Sequence, residues 1–377
     1  MAAVVADRRA PASRKLSLGA PSDQVQAGRI EIGVPLLARS WAWGSGVATL
    51  AGLVTGVVLG SAEPRSSAVV SFNGADGLGW LMFVGSSVHV AFTACLFGLP
   101  GVRSVARRHR WRCSWAPVGL IAVAAVISLL ISPPMLAWGL LAVFSWQFWH
   151  YQKQNLGIVA LAAASHLAPR LKRGERRAMK SAGAAGVGGL LAHPGLLGLQ
   201  LRLPVAGLWT AALALFVISS GWGLLLLARR PRPDRPANFS ALYVASLLFW
   251  APMFSFRSPY AAVGGMTIAH GLQYLLLGGL VMAGAEPGRG VRTGLALNAA
   301  LVGGALLSWA SHLHGSPIPL RVLFGAYVGV LMAHFVVDAG LWRLRDPAAR
   351  TFLGARVPAL LPAGAVPVAD GSAGDVA

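Results

Sequence analysis

Acidic residues are scarce in this sequence: 12 Asp and Glu stand against 32 Lys and Arg, and charged residues make up 12% of the 377 positions while 55% are hydrophobic. So little polar side chain cannot cover the apolar mass of a water-soluble fold of this length, which excludes an ordinary globular enzyme. Cysteine is nearly absent. Cys95 lies in an apolar run and Cys113 in a basic stretch, so neither a disulfide framework nor a CxxC metal motif is available. No Gly-rich phosphate loop ending in Lys-Ser or Lys-Thr occurs, which argues against chemistry driven directly by ATP, and no internal repeat is evident. The first 30 residues contain Arg8, Arg9, Arg14 and Lys15 but no apolar core of a cleavable signal, so the first spanning helix is expected to direct insertion.

Long apolar runs are abundant. They recur near 36–60, 78–100, 117–133, 134–166, 181–200, 204–228, 238–256, 260–284, 293–311 and 321–342, and about 18 such residues suffice to cross the hydrocarbon as a helix. Backbone hydrogen bonding in lipid then requires helices. The expectation is an all-α, polytopic membrane bundle of about ten transmembrane helices, with Ser132, Pro133 and Pro134 ending the third and opening the fourth. Residues 1–33 read as a disordered basic tail, 34–344 as the transmembrane domain and 345–377 as a second disordered tail.

The net charge of +20 sits between the apolar runs rather than on a soluble face. Basic clusters at Arg103–Arg112, Arg170–Lys180 and Arg229–Arg235 alternate with nearly uncharged loops, as the positive-inside rule demands, and place both termini in the cytoplasm. Membrane lipid headgroups, not nucleic acid, are the anionic partner expected.

Nine histidines occur, and four fall well inside spans: His89, His150, His270 and His334. Each lies about 10 to 16 residues from the start of its run, a similar depth near the midplane at 1.5 Å per residue. Imidazole nitrogens bind iron, copper or zinc, whereas four uncoordinated rings in hydrocarbon would leave donors and acceptors unpaired. Polar residues sit one turn away: Thr93 after His89, Gln147 and Gln154 around His150, Gln273 after His270, Asp338 after His334. Asp338 is the only acidic residue inside an apolar run, and its spacing favours orienting an imidazole. His193, beside Pro194, is a lesser ligand candidate; His109, His166, His312 and His314 read as loop or helix-end residues.

The motifs Ser87-Val88-His89-Val90-Ala91-Phe92-Thr93, Trp149-His150-Tyr151-Gln152-Lys153-Gln154-Asn155, Ile268-Ala269-His270-Gly271-Leu272-Gln273-Tyr274 and Ala333-His334-Phe335-Val336-Val337-Asp338 resemble, in order and spacing, those of the bacterial Brp/Blh family of membrane β-carotene dioxygenases. The resemblance implies a helical enzyme of the bacterial inner membrane that holds non-haem iron through histidines and cleaves a polyene with dioxygen. It supports His89, His150 and His270 as ligands. Thr93 stands where the family has an acid, Asn155 where it has an Asp, and Tyr274 where it has a second histidine, which leaves His334 to complete the set.

The leading expectation is therefore a membrane oxidoreductase. His89, His150, His270 and His334 bind a transition metal, preferably iron; Asp338, Gln154 and Gln273 orient them; and Tyr274 or Tyr151 faces a lipophilic substrate entering from the bilayer. Haem ligation for electron transfer and a proton-coupled or metal-ion transporter are the competing readings.

Overall fold

The computed structural model describes residues 23–62, 84–201, 205–284 and 288–361. Among them are thirteen α-helices and no strand: α1 Asp23–Ala62, α2 His89–Leu96, α3 Pro100–Arg108, α4 Ala116–Leu130, α5 Pro133–Ser165, α6 Arg173–Ala192, α7 Leu208–Ala228, α8 Ala237–Leu247, α9 Ala251–Ser255, α10 Gly265–Ala283, α11 Arg289–Ser311, α12 Ile318–Leu341 and α13 Pro347–Arg356. Single π turns at Val84–Val88, Trp111–Trp115 and Tyr260–Gly264 lead directly into α2, α4 and α10.

The ten spans expected from apolar runs reduce to six helices long and apolar enough to cross a membrane, Ser40–Ser61, Trp111–Leu130, Leu208–Ala228, Tyr260–Ala283, Arg289–Gly315 and Ile318–Leu341, or seven if one bent pair counts as a span. The physical reasons differ. Gly85–Leu96 turns by 88° into Pro100–Arg108, because Leu99 is extended ahead of Pro100, which opens a new helix; residues 78–83 lie outside the described residues. α5 has ample length at 33 residues, but Gln147, His150, Gln152, Lys153, Gln154 and Asn155 make its middle too polar. α6 spends its first turns on Arg173, Glu175, Arg176, Arg177 and Lys180, and it stops at His193-Pro194. The run 238–256 breaks into an 11-residue and a 5-residue helix around Leu248–Trp250, about 16 Å and 8 Å long.

Helix also occurs near both ends of the described residues. Residues 23–33 belong to α1. Past residue 345, Asp346 caps α13, its Oδ1 accepting from the Ala348 and Ala349 N–H groups at 2.9 and 3.4 Å. Ala349 and Leu353 are buried, and Arg356 donates to the Val281 and Met282 carbonyls at the end of α10. Apolar and capping contacts thus dock a segment whose Pro and small residues suggest disorder.

Burial separates central from peripheral helices. In the most apolar stretch of Tyr260–Ala283, 61% of residues are buried, and in that of Ile318–Leu341 50%, against 11% for Trp111–Leu130 and 22% for Arg289–Gly315. The outer helices instead expose Val118, Val123, Leu130, Leu295, Val302 and Leu306, an apolar surface suited to lipid.

Close approach is achieved with small residues. Gly52, Gly56 and Gly60 of α1 face Ala269, Gly265 and Ala261, and a β-carbon on Gly56 would lie 2.5 Å from the Gly265 Cα. A β-carbon on Gly271 would likewise lie 2.5 Å from the Gly85 Cα. That second contact lets the turn before His89 touch the residue after His270.

Candidate metal centre

His89, His150, His270 and His334 come from α2, α5, α10 and α12, and all four are buried. Their rings form a closed cycle with centroid separations of 4.8 Å for His89–His270, 5.2 Å for His270–His150, 5.2 Å for His150–His334 and 4.9 Å for His334–His89. Adjacent rings meet edge to face. Aromatic packing fixes two of them from behind: Tyr151 stacks on His270 at 3.9 Å, and Phe335 stacks on His150 at 4.8 Å.

Among the described residues, six ring nitrogens lack a hydrogen-bond partner: both of His89, both of His270, and Nε2 of His150 and His334. The Gly85 carbonyl, one turn before His89, faces its ring at the margin of hydrogen-bond geometry. Asp338 Oδ2 is also unpartnered, 3.7 Å from His150 Nε2 and 3.5 Å from His334 Nε2. Donor atoms of His89, His270 and His334 lie within 4.8 Å of one another, as do those of His150, His334 and Asp338. These buried groups are able to hold a metal ion.

A hydrogen-bond chain fixes one ligand's tautomer. Tyr274 Oη donates to Asp338 Oδ1 at 2.9 Å, so it accepts from Thr93 Oγ1 at 2.7 Å. Thr93 has then given its one proton and must accept at its 2.8 Å contact with His334 Nδ1. The proton of His334 therefore sits on Nδ1, and the Nε2 lone pair faces the centre.

The remaining expected site residues divide. Asp338 and Tyr274 join the cluster. Gln154 donates to the His270 carbonyl at 3.1 Å and to Gln273 Oε1 at 3.2 Å, and Gln273 donates to Thr49 Oγ1 at 2.6 Å. Neither amide reaches an imidazole nitrogen; together they tie α5, α10 and α1. Gln147 bonds Tyr151, at 2.5 Å. His193 packs against Trp209 at 4.4 Å and His109 pairs with Asp346 at 2.7 Å, so neither joins the centre.

A cavity of about 990 Å³ reaches the cluster from one side, lined by His150, Gln154, Gln273, Tyr274 and Asp338 at the centre and by Leu120, Val123, Ile158, Leu161 and Leu277 along its walls. Tyr151 does not line it. Sequence reasoning missed its other end, where Arg112, Arg343 and Arg345 gather; these read as ordinary loop charges. It also missed Glu175 and Arg230, a buried pair at 2.5 Å remote from the histidines in sequence.

What fold and site define is a multi-pass helical membrane protein with a buried histidine and carboxylate cluster able to hold a metal ion. No family model, curated protein or solved structure matches the chain.

Proposed function

We propose that this chain is an oxidoreductase of the bacterial cytoplasmic membrane in which His89, His150, His270 and His334 hold one non-haem transition-metal ion, iron, and a lipophilic substrate reaches it through the cavity. One observation carries the reading: six ring nitrogens and one Asp338 oxygen are buried without a partner at a single place. Each buried polar atom left unpaired costs about 1–3 kcal/mol, and a bound cation satisfies lone pairs that no protein donor reaches.

The donor chemistry supports this choice. Imidazole nitrogen and carboxylate oxygen suit iron, and no thiolate is present; Cys95 points its sulfur at the Ala91 and Ala296 carbonyls. Thr93 occupies His334 Nδ1, leaving His334 a single free nitrogen, and one lone pair serves one ion. This favours a mononuclear centre over two ions divided between the overlapping triads. Rings packed 4.8 to 5.2 Å apart leave no slot for a porphyrin, which supports non-haem ligation over haem.

Iron held there supplies dioxygen activation and one-electron chemistry. The protein's own groups do the rest. His150 and Asp338 stand on the cavity side, so a substrate arrives past them. Tyr274 holds a proton between Thr93 and Asp338 Oδ1 and can pass it to the carboxylate. Leu120, Val123, Leu161 and Leu277 keep the approach dry. The motif resemblance to membrane carotenoid dioxygenases agrees with this class.

The test is metal analysis and an optical spectrum of the purified full-length chain. About one iron per chain, no Soret band, and metal lost in His150→Ala are expected. Metal-free folded protein, or content unchanged in His150→Ala, contradicts the reading.

A further inference from the structure

The cavity has two chemically different ends. One is the histidine centre. At the other, Arg112, Arg343 and Arg345 converge, and Lys153 stands on α5 three residues after His150. None of these four side chains makes a hydrogen bond or ion pair among the described residues. The nearby carboxylate, Asp346, is already engaged by His109 and by the Ala348 and Ala349 N–H groups. Burial, then Arg345 and Arg112, hold the Arg343 guanidinium below its ordinary pKa, with Asp346 acting the other way. Three guanidinium groups beside a single carboxylate that is engaged elsewhere leave room for an anion.

The wall between the two ends is apolar, and it opens sideways. Trp111, Trp115 and Val123 on α4 are 72%, 66% and 55% exposed while lining the cavity, and Gly157 on the facing side of α5 is exposed too. Tryptophan is the residue that favours the boundary between hydrocarbon and headgroups. A neutral hydrocarbon would gain nothing from the basic end, and a small water-soluble anion would gain nothing from the apolar wall.

We propose that the cavity binds a single-chain amphiphile with an anionic head, a long-chain carboxylate, whose head is held by Arg112, Arg343 and Arg345 while its chain lies along the wall toward His150 and Asp338. This names the substrate class for the oxidoreductase and rests on that reading only for what is done to the ligand.

The test uses the full-length protein in uncharged phosphatidylcholine nanodiscs and follows quenching of tryptophan fluorescence by brominated chains: a fatty carboxylate, the alcohol of equal length, and a diacyl phosphatidic acid. Saturable quenching by the carboxylate at roughly tenfold lower concentration than by the alcohol is expected. An Arg343→Gln/Arg345→Gln double variant should weaken carboxylate binding about 10–30-fold and leave the alcohol unchanged. Arg112→Gln, at a half-buried position on another helical segment, should shift it in the same direction and keeps the test decisive if the double variant does not fold. Equal quenching by carboxylate and alcohol, indifference to both variants, or saturable quenching by phosphatidic acid alone overturns the proposal. Metal content read on the same samples separates the two ideas: carboxylate binding to metal-free protein sinks the oxidoreductase and leaves the amphiphile site, whereas metal-loaded protein that ignores the head group does the reverse.

Discussion

Two polar clusters are buried in this protein, and they are built on opposite principles. In the first, Arg230 spends all five of its N–H donors: Nε and Nη2 on the Glu175 carboxylate at 2.5 and 2.7 Å, Nη1 on the Pro169 and Asp234 carbonyls at 3.1 Å, and Nη2 again on the Arg170 carbonyl at 3.0 Å. Glu175 also accepts the Lys172 N–H at 2.7 Å, and Phe239 covers the guanidinium at 4.8 Å. Nothing is left for a ligand. The second cluster, at His89, His150, His270 and His334, leaves six nitrogens and one carboxylate oxygen free although it is equally buried. A saturated cluster ties helices together; an unsaturated one at the end of a cavity is where binding belongs.

That contrast predicts different consequences for similar lesions. Replacing His270 with Ala should abolish stoichiometric metal and activity, while the thermal transition of the metal-free protein changes little; metal analysis and a melting curve in detergent read both. Arg230→Met should do the opposite, lowering stability by about 3–5 kcal/mol because Glu175 is stranded, with metal content per folded chain retained. Thr93→Val keeps the shape but removes the hydroxyl between His334 and Tyr274, and competition with a chelator should show metal affinity reduced about 10–100-fold. Gly271→Ala forces α10 from the turn before His89, and a loss of roughly 1–3 kcal/mol together with weaker metal binding would show that packing sets the ring spacing. The smallest effect concerns α13. Burial raises the Asp346 pKa, but the Ala348 and Ala349 N–H groups and His109 outweigh it and hold the carboxyl below its ordinary value. Its contribution is therefore present above about pH 4 and lost as pH falls through the lower folded value, so proteolysis after α12 should accelerate only at strongly acidic pH.

Much of the second cluster was legible in the sequence, and little of the first. His89, His150, His270 and His334 stand out because imidazoles are rare inside apolar runs and because depth can be counted along a helix. Asp338 stands out for the same reason. Thr93 is visible beside His89, yet its decisive partner is His334, 241 positions away, a pairing set by how α2 and α12 pack. Glu175 and Arg230 hide among loop charges, where a buried ion pair and a membrane-surface charge look alike. The same ambiguity conceals the basic end of the cavity. Span counting failed where polarity and breakers competed with length: α5 is long but carries the polar stretch around His150, and Pro100 and Pro252 divide runs that hydropathy alone joins. Asp346-Pro347 is a legible helix start, masked by the small residues around it.

The unpaired imidazoles should all be ligands of one ion. X-ray absorption at the iron edge of the purified, iron-loaded chain tests this most directly. About one iron per chain is expected, in a nitrogen and oxygen shell with multiple scattering from at least three imidazoles, reduced by one in His334→Ala. A shell without imidazole scattering, or one identical in wild type and His334→Ala, would contradict it.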